Sequence, residues 1–126
     1  MSMTNQVKAT VYSWNDVARE QVNEQFARQL ISGEKVMLAQ LELKAGCIVP
    51  RHVHDNEQLS MAFSGAIKLV LGENEEQEFI LRAGDVLVIP GGLPHRAEVL
   101  EDFSGLDVFS PPRQDWLNGS DSYLRR

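Results

Sequence analysis

Three histidines, the only ones in the chain, fall in two short segments where a metal ion could be held. His52 and His54 are one residue apart, and alternate residues of an extended strand lie on the same face. The same alternation places Gln58, rather than Glu57, on the face of the two histidines. Imidazole nitrogens and an amide oxygen are donors for divalent metals, and His95 from a neighbouring strand would complete half a coordination shell. The predicted metal ligands are therefore His52, His54, Gln58 and His95.

The ligand types indicate which chemistry the ion would support. Three imidazoles and one amide are neutral, so the ion keeps its full positive charge, which favours Lewis-acid chemistry over oxygen activation. Each histidine alone also has a plainer interpretation, since His52 and His54 could be solvated side chains beside a turn and His95 a capping residue after Pro94. Gln58 could likewise accommodate an ion in a binding protein without activity.

Short apolar segments bounded by turn formers predict the elements that would position these side chains. Residues 37–43 alternate between apolar and polar, as in a half-buried strand. Similar segments follow at 59–63, 66–71, 78–81, 86–89, 95–100 and 106–109, with turns expected at Gly65 and at Glu101-Asp102. Residues 12–28 are polar and are expected to form a surface arm with a helical turn near Asn15-Asp16. Repetition at roughly 8 to 12 residues is typical of an all-β sandwich or barrel.

The composition is that of one globular domain. The 126 residues are 43% hydrophobic and carry a net charge of -6, which would repel a nucleic-acid backbone. The single cysteine, Cys47, fits a reducing compartment, and neither a signal core nor a long apolar segment is visible. We therefore expect a cytoplasmic protein that binds neither nucleic acid nor membrane.

The spacing of these residues resembles the two motifs of the cupin superfamily. The first motif comprises Gly46, His52, His54, Gln58 and Gly65, and the second comprises Gly84, Pro90, Gly92 and His95. Neither has a spacing error, although Val99 stands where a polar residue is usual. The resemblance implies a single-domain jelly-roll barrel, or double-stranded β-helix, at 35–112, with an N-terminal arm at 1–34 and a polar C-terminal tail at 113–126. It also implies one divalent metal ion, with nickel, zinc, manganese, cobalt and iron all open. A homodimer is expected because an open barrel edge would be a liability.

Further segments resemble the pectin-degradation cupins called KdgF. Residues 28–33, 52–58 and 107–117 match segments of that family. The resemblance implies metal-dependent opening of the ring of 4,5-unsaturated monouronates from pectin or alginate, giving 5-keto-4-deoxyuronate. Two other functions stay open: a metal-dependent dioxygenase, against which Gln58 counts, and a non-enzymatic protein that binds a small ligand.

The KdgF resemblance also places residues around a sugar-acid substrate. Asp107 and Phe109 share a face of the last strand, so Asp107 is predicted to transfer a proton and Phe109 to form an apolar wall. Arg113 is predicted to bind the substrate carboxylate through a bidentate fork, and Ser60 to add a hydrogen bond. The plainer alternatives are a solvent-facing acid for Asp107, ordinary core for Phe109, and a surface or dimer-interface residue for Arg113.

Overall fold

The computed structural model describes residues 7–125 and confirms the predicted all-β, single-domain architecture. The strands are β1 (Glu20–Asn23), β2 (Phe26–Ser32), β3 (Met37–Leu43), β4 (Ile48–His52), β5 (Glu57–Leu71), β6 (Gln77–Arg82), β7 (Val86–Ile89) and β8 (His95–Ser110). One short helix, α1 (Gln114–Asn118), and two 3-10 turns, Trp14–Asp16 and Ser122–Leu124, complete these elements. Within residues 7–125, no helix is both long and apolar enough to span a membrane. The cytoplasmic location stays a prediction.

The eight strands form one continuous sheet with two halves, called the two sheets below, and the long strands β5 and β8 take part in both halves. The first half of β5 pairs with β7 and with the end of β8, and β8 pairs in turn with β3. The second half of β5 pairs with β6 and with the start of β8, whose other neighbour is β4. All these pairs are antiparallel. The two sheets are therefore joined by continuous strands that curve from one to the other, and the core lies between them.

The turns expected at Gly65 and at Glu101-Asp102 are wrong, because both positions lie within continuous strands. The pairing of β5 with β8 shifts register at three places between Ala62 and Ile67, so the strands bend there without separating. Gly65 has a φ of +80°, and a Cβ at this position would collide with the backbone of Asp102. Glycine is required here by both its backbone conformation and the close crossing of the strands.

The bend also changes which residues of β5 face the barrel interior. Before it, the buried side chains are at even positions, among them Gln58 and Ser60. After it, they include Ile67, Leu69 and Leu71, at odd positions. The bulged region thus lets both halves of one strand contribute to the interior.

The N-terminal segment differs from the expected arm from Glu20 onward. The helical turn near Asn15-Asp16 is present, but β1 and β2 form a hairpin that extends the sheet by pairing β2 with β3. Phe26 is buried in the core. These strands were not predicted because many of their residues are polar, including Arg28, which is itself buried.

The C-terminal segment folds back over the barrel and is held to this hairpin by a buried ion pair. Arg28 Nη1 lies 2.6 Å from Asp121 Oδ2, at an angle outside hydrogen-bond geometry, and both side chains are 0% exposed. Glu20 accepts hydrogen bonds at 2.8 Å from Arg28 and from Arg125, and Arg125 also donates to Asp121. Leu124 joins the hydrophobic core. Residues 121–125 are therefore a packed part of the fold.

Candidate metal and substrate site

The three histidines converge although only two of them lie in strands. His52 ends β4 and is paired in register with His95, the first residue of β8, while His54 lies in the loop between β4 and β5. The expected strand across His54 is therefore wrong. The loop still brings the ring centroids of His52, His54 and His95 to within 4.3–5.5 Å of one another. One candidate ligand nitrogen from each ring lies within 4.8 Å of the others.

Backbone carbonyls determine which nitrogen of each ring is free. The Nδ1 atoms of His52, His54 and His95 lie 2.8, 3.1 and 2.8 Å from the carbonyl oxygens of Pro50, Asn56 and Leu93. A carbonyl oxygen only accepts, so each Nδ1 carries the proton and each Nε2 of the neutral ring presents a lone pair. Burial is the main cause that lowers the histidine pKa values, to about 3 for His52 and about 4 for His54. The rings are therefore neutral near pH 7.

This arrangement fits a divalent metal ion. His95 Nε2 is buried and has no hydrogen-bond partner among the described residues. A buried nitrogen without a hydrogen-bond partner costs free energy. In metal-binding histidines, one ring nitrogen usually binds the metal while the other donates to a carboxylate, a water or a backbone oxygen. The three-histidine cluster is thus suited to a divalent metal ion.

Gln58 presents its oxygen to the same cluster. Its Nε2 donates to Ser60 Oγ at 2.9 Å and to Asp107 Oδ2 at 3.3 Å, which turns Oε1 toward His54. The distance from Gln58 Oε1 to His54 Nε2 is 3.1 Å, and both atoms are acceptors when His54 carries its proton on Nδ1. Two acceptors at this distance repel each other, whereas a cation near both would be favourable. The role of Gln58 as a fourth ligand stays a prediction.

Asp107 lies behind Gln58 and is buried, so the solvent-facing alternative does not hold. Burial raises its pKa to about 7, although the Ser60 hydroxyl and the charge of Arg113 act in the opposite direction. A carboxyl group with this pKa can both give and take a proton near neutral pH. Its neighbour on the same strand face, Phe109, is fully buried and lies beside the ring of His54.

Arg113 is buried rather than on the surface, but two of its three guanidinium nitrogens already donate hydrogen bonds within the protein. Its Nε and Nη2 donate to Asp115 at 3.0 and 2.7 Å, and Nη2 also donates to the Tyr123 hydroxyl at 2.8 Å. The remaining nitrogen, Nη1, is buried without a partner among the described residues. Arg113 therefore has one nitrogen available to a ligand, instead of the expected bidentate fork.

Sequence reasoning missed two aromatic residues at the site, Trp116 and Tyr123. The Arg113 guanidinium lies 4.8 Å from the Trp116 ring centroid, and Tyr123 stacks on His52 with centroids 4.7 Å apart and an interplanar angle of 26°. The available signal was that both are large aromatic residues in an otherwise polar tail. Their positions depend on how the tail folds back, which the local sequence does not specify.

A cavity of about 50 Å³ lies among several of the site residues. Its polar end is lined by His52, Gln58, His95, Asp107 and Arg113. Its other end is lined by apolar side chains of both sheets, including Leu69 and Phe103. A small ligand in the polar end would meet donors for a metal, a titratable carboxyl group and a positive charge at once.

Comparisons with known proteins agree with this geometry. The sequence profile of the cupin domain matches residues 39–109. KdgF from Halomonas sp. is similar with a TM-score of 0.78 and 23% identity, covering 86% of this chain and 99% of the other. An RmlC-like cupin from Shewanella frigidimarina has a TM-score of 0.78 and 21% identity, covering 86% and 96%. An oxalate decarboxylase variant from B. subtilis has a TM-score of 0.71 and 20% identity, covering 92% of this chain and 36% of the other.

The comparison with curated proteins gave no match. At these identities the likeness to solved structures shows the fold, while the profile shows the family. Because the profile spans more than half of the chain and the barrel shares the fold, the chain belongs to the cupin family.

Proposed function

We propose that this cupin is a metal-dependent enzyme that opens the ring of 4,5-unsaturated monouronates, released from pectin or alginate, to give 5-keto-4-deoxyuronate. The observation that carries the proposal is one cavity lined by His52 and His95 of the three-histidine cluster, by the buried carboxyl of Asp107 and by Arg113, whose Nη1 has no partner among the described residues. The proposed substrate offers a match to each group, since it has oxygen atoms for a metal, a proton to be moved and a carboxylate.

His52, His54, His95 and the oxygen of Gln58 would hold the ion. A bound divalent ion would supply Lewis-acid polarisation of a substrate oxygen. The buried Nη1 of Arg113 binds the substrate carboxylate through a charge-assisted hydrogen bond. This contact fixes the ring against Phe109, whose buried side chain provides an apolar surface.

Asp107 then moves one proton within the substrate. The Asp107 carboxylate takes the proton of the anomeric hydroxyl. The C1–O5 bond then breaks and the electron pair of that bond stays on O5, which gives an aldehyde at C1 and an enolate at C5. Return of the same proton to C4 converts the enolate to a ketone, so the reaction is an isomerisation that consumes no water. Gln58 Nε2, which also donates to Ser60, holds the carboxyl group in place on one side through its hydrogen bond to Asp107 Oδ2.

The test follows the ultraviolet absorbance of the enol ether in lyase-generated unsaturated monouronate. We expect protein loaded with Ni²⁺, Zn²⁺, Mn²⁺, Co²⁺ or Fe²⁺ to accelerate its decay above the spontaneous rate with at least one ion. His52→Ala and Asp107→Asn should abolish the acceleration. Glu101→Gln, which changes an exposed carboxyl on the same strand, is the matched control and should retain it. Absence of acceleration with all five ions would refute the proposed function.

The proposed assembly is a homodimer formed by the outer face of the β5–β7–β8 sheet. This face is made by two cross-strand rows, Val88–Leu59–Val108 and Val86–Met61–Leu106. None of these residues is charged, so two copies with a net charge of -6 each can approach here without direct repulsion. Sedimentation equilibrium should give a dimer for the wild type and a monomer for Met61→Glu. A wild-type monomer at micromolar concentration would contradict the assembly and leave the proposed activity untouched.

A further inference from the structure

Tyr123 is the side chain of the C-terminal segment that stacks on a histidine of the site. Its ring stacks on His52, and its hydroxyl accepts hydrogen bonds from Arg113 Nη2 at 2.8 Å and from Trp116 Nε1 at 3.0 Å. Tyr123 thus contacts both a candidate metal ligand and the candidate carboxylate-binding residue. It lies behind these groups and does not line the cavity itself.

The stacking adds a restraint to those that His52 already has from the ring of His95, 4.3 Å away, and from one hydrogen bond. His52 is the last residue of β4 and is only half-buried, and the one described hydrogen bond of its ring is to the carbonyl of Pro50. A single hydrogen bond fixes the direction of Nδ1 but leaves rotation of the ring about that direction. The face of Tyr123, at 4.7 Å, limits this rotation and so sets where His52 Nε2 points.

The hydroxyl restrains Arg113 in a second way. Asp115, a carboxylate two residues along the chain, holds one edge of the guanidinium, and the ring centroids of Phe109 and Trp116 lie 5.3 and 4.8 Å from it. The Tyr123 hydroxyl adds a contact from the end of the chain, so Nη2 is held from two directions. The buried Nη1 keeps no partner among the described residues, and Arg113 is one of the residues that line the cavity.

Tyr123 can impose these restraints because its own backbone is anchored to the barrel. Asp121 is held by the buried ion pair with Arg28, and the Leu124 carbonyl accepts a hydrogen bond from Asn23 Nδ2 at 2.8 Å. Leu124 itself is buried in the core. Anchors on both sides of Tyr123 therefore fix the ring relative to β1 and β2.

We infer that Tyr123 is a positioning residue of the site, whose ring sets the plane of His52 for metal binding and whose hydroxyl sets Arg113 for carboxylate binding. The first role does not depend on the proposed reaction, whereas the second role rests on the proposed function. The two roles are separable because phenylalanine keeps the ring and removes only the hydroxyl.

The experiment compares Tyr123→Phe, Tyr123→Leu and the control Ser122→Ala, which changes the exposed neighbouring side chain. Zn²⁺ affinity is measured by competition with a chromophoric chelator, and the visible spectrum of bound Co²⁺ reports the ligand geometry. We expect Tyr123→Leu to weaken Zn²⁺ binding by about tenfold and to change the Co²⁺ spectrum. Tyr123→Phe and Ser122→Ala should keep the wild-type affinity within about twofold.

Steady-state kinetics on unsaturated monouronate test the hydroxyl. Loss of a hydrogen bond to a charged group predicts that Tyr123→Phe raises KM by about tenfold, with a smaller effect on kcat. Wild-type Zn²⁺ affinity in Tyr123→Leu would overturn the role of the ring, and an unchanged KM in Tyr123→Phe would overturn that of the hydroxyl. If the wild type lacks activity, the proposed function and the hydroxyl role fail together, while the Zn²⁺ measurement still decides the ring role. Tyr123→Met replaces Tyr123→Leu if the latter does not fold.

Discussion

Removing Asp121 should destabilise the whole protein, because it leaves the Arg28 charge in the interior. Both side chains of this pair are 0% exposed, and the distance from Arg28 Nη1 to Asp121 Oδ2 is 2.6 Å. Removing one partner of a buried ion pair costs about 3–5 kcal/mol. Glu20 still accepts a hydrogen bond from Arg28 Nε in the variant, but its side chain is 40% exposed and compensates only part of the charge. We therefore expect Asp121→Ala to lower the free energy of unfolding by about 3 kcal/mol.

The assay is urea unfolding, with thermal unfolding as a second measure. For a chain of this size, about 3 kcal/mol corresponds to a Tm decrease of roughly 10 °C. The matched control is Glu42→Gln, which breaks the Arg19–Glu42 pair at 2.8 Å, where both side chains are more than half exposed. Such a surface pair contributes at most about 1 kcal/mol, so the control should change little.

A double variant separates the buried charge from the loss of contacts. Arg28→Met with Asp121→Leu removes both charges and keeps apolar volume, and it should recover most of the stability lost in Asp121→Ala. A loss below about 1 kcal/mol in the single variant would refute the argument from charge burial. A double variant as unstable as the single one would show that packing of the chain end, rather than the charge, is what Asp121 provides.

Three further changes test the fold and the metal site. Gly65→Ala places a methyl group against the backbone of Asp102 and should cost about 2 kcal/mol or more in urea unfolding, whereas Gly84→Ala, with positive φ but open space, should cost about 1 kcal/mol. Met37→Ala removes a side chain that is 0% exposed and should cost about 2–5 kcal/mol by the same assay. Zn²⁺ at 100 times its dissociation constant should add about 2.7 kcal/mol to the free energy of unfolding. A chelator should reverse this gain, and His95→Ala should not show it. A wild-type Tm that does not change with Zn²⁺ would contradict the metal site.

The fold class and the histidine cluster could be predicted because their signals are local. Residues 37–43 alternate as a half-buried strand must, and the structure has β3 over the same residues. The three histidines converge as their spacing predicted. His54 joins the cluster for a different reason from the one predicted, because a loop rather than a strand carries it to the other two rings.

Features that depend on distant partners could not be predicted from the sequence. Arg28 looks like a surface residue of a polar segment, and only the return of Asp121 from the end of the chain allows its burial. The stacking of Tyr123 on His52 and the occupation of Arg113 by Asp115 likewise depend on how the tail folds. Glycine is a common turn former, which is why a turn was predicted at Gly65. Its actual position inside a continuous strand depends on the pairing of β5 with β8, a strand distant in sequence.

The inward-facing side chains of β5 change from even to odd positions along the strand, so the number of residues in this strand is a condition for function. Gln58 and Ser60 lie on one side of the bulged region and Ile67 and Leu69 on the other, and all four face inward. Loss of a single residue between them would leave the hydrogen-bonded ladder formable, but one half of the strand would turn its side chains outward. If the apolar half kept its register, the amide and hydroxyl of the site would face solvent. Relatives that tolerate insertions in their surface loops should therefore keep the residue count of this strand constant, even where its amino acids change.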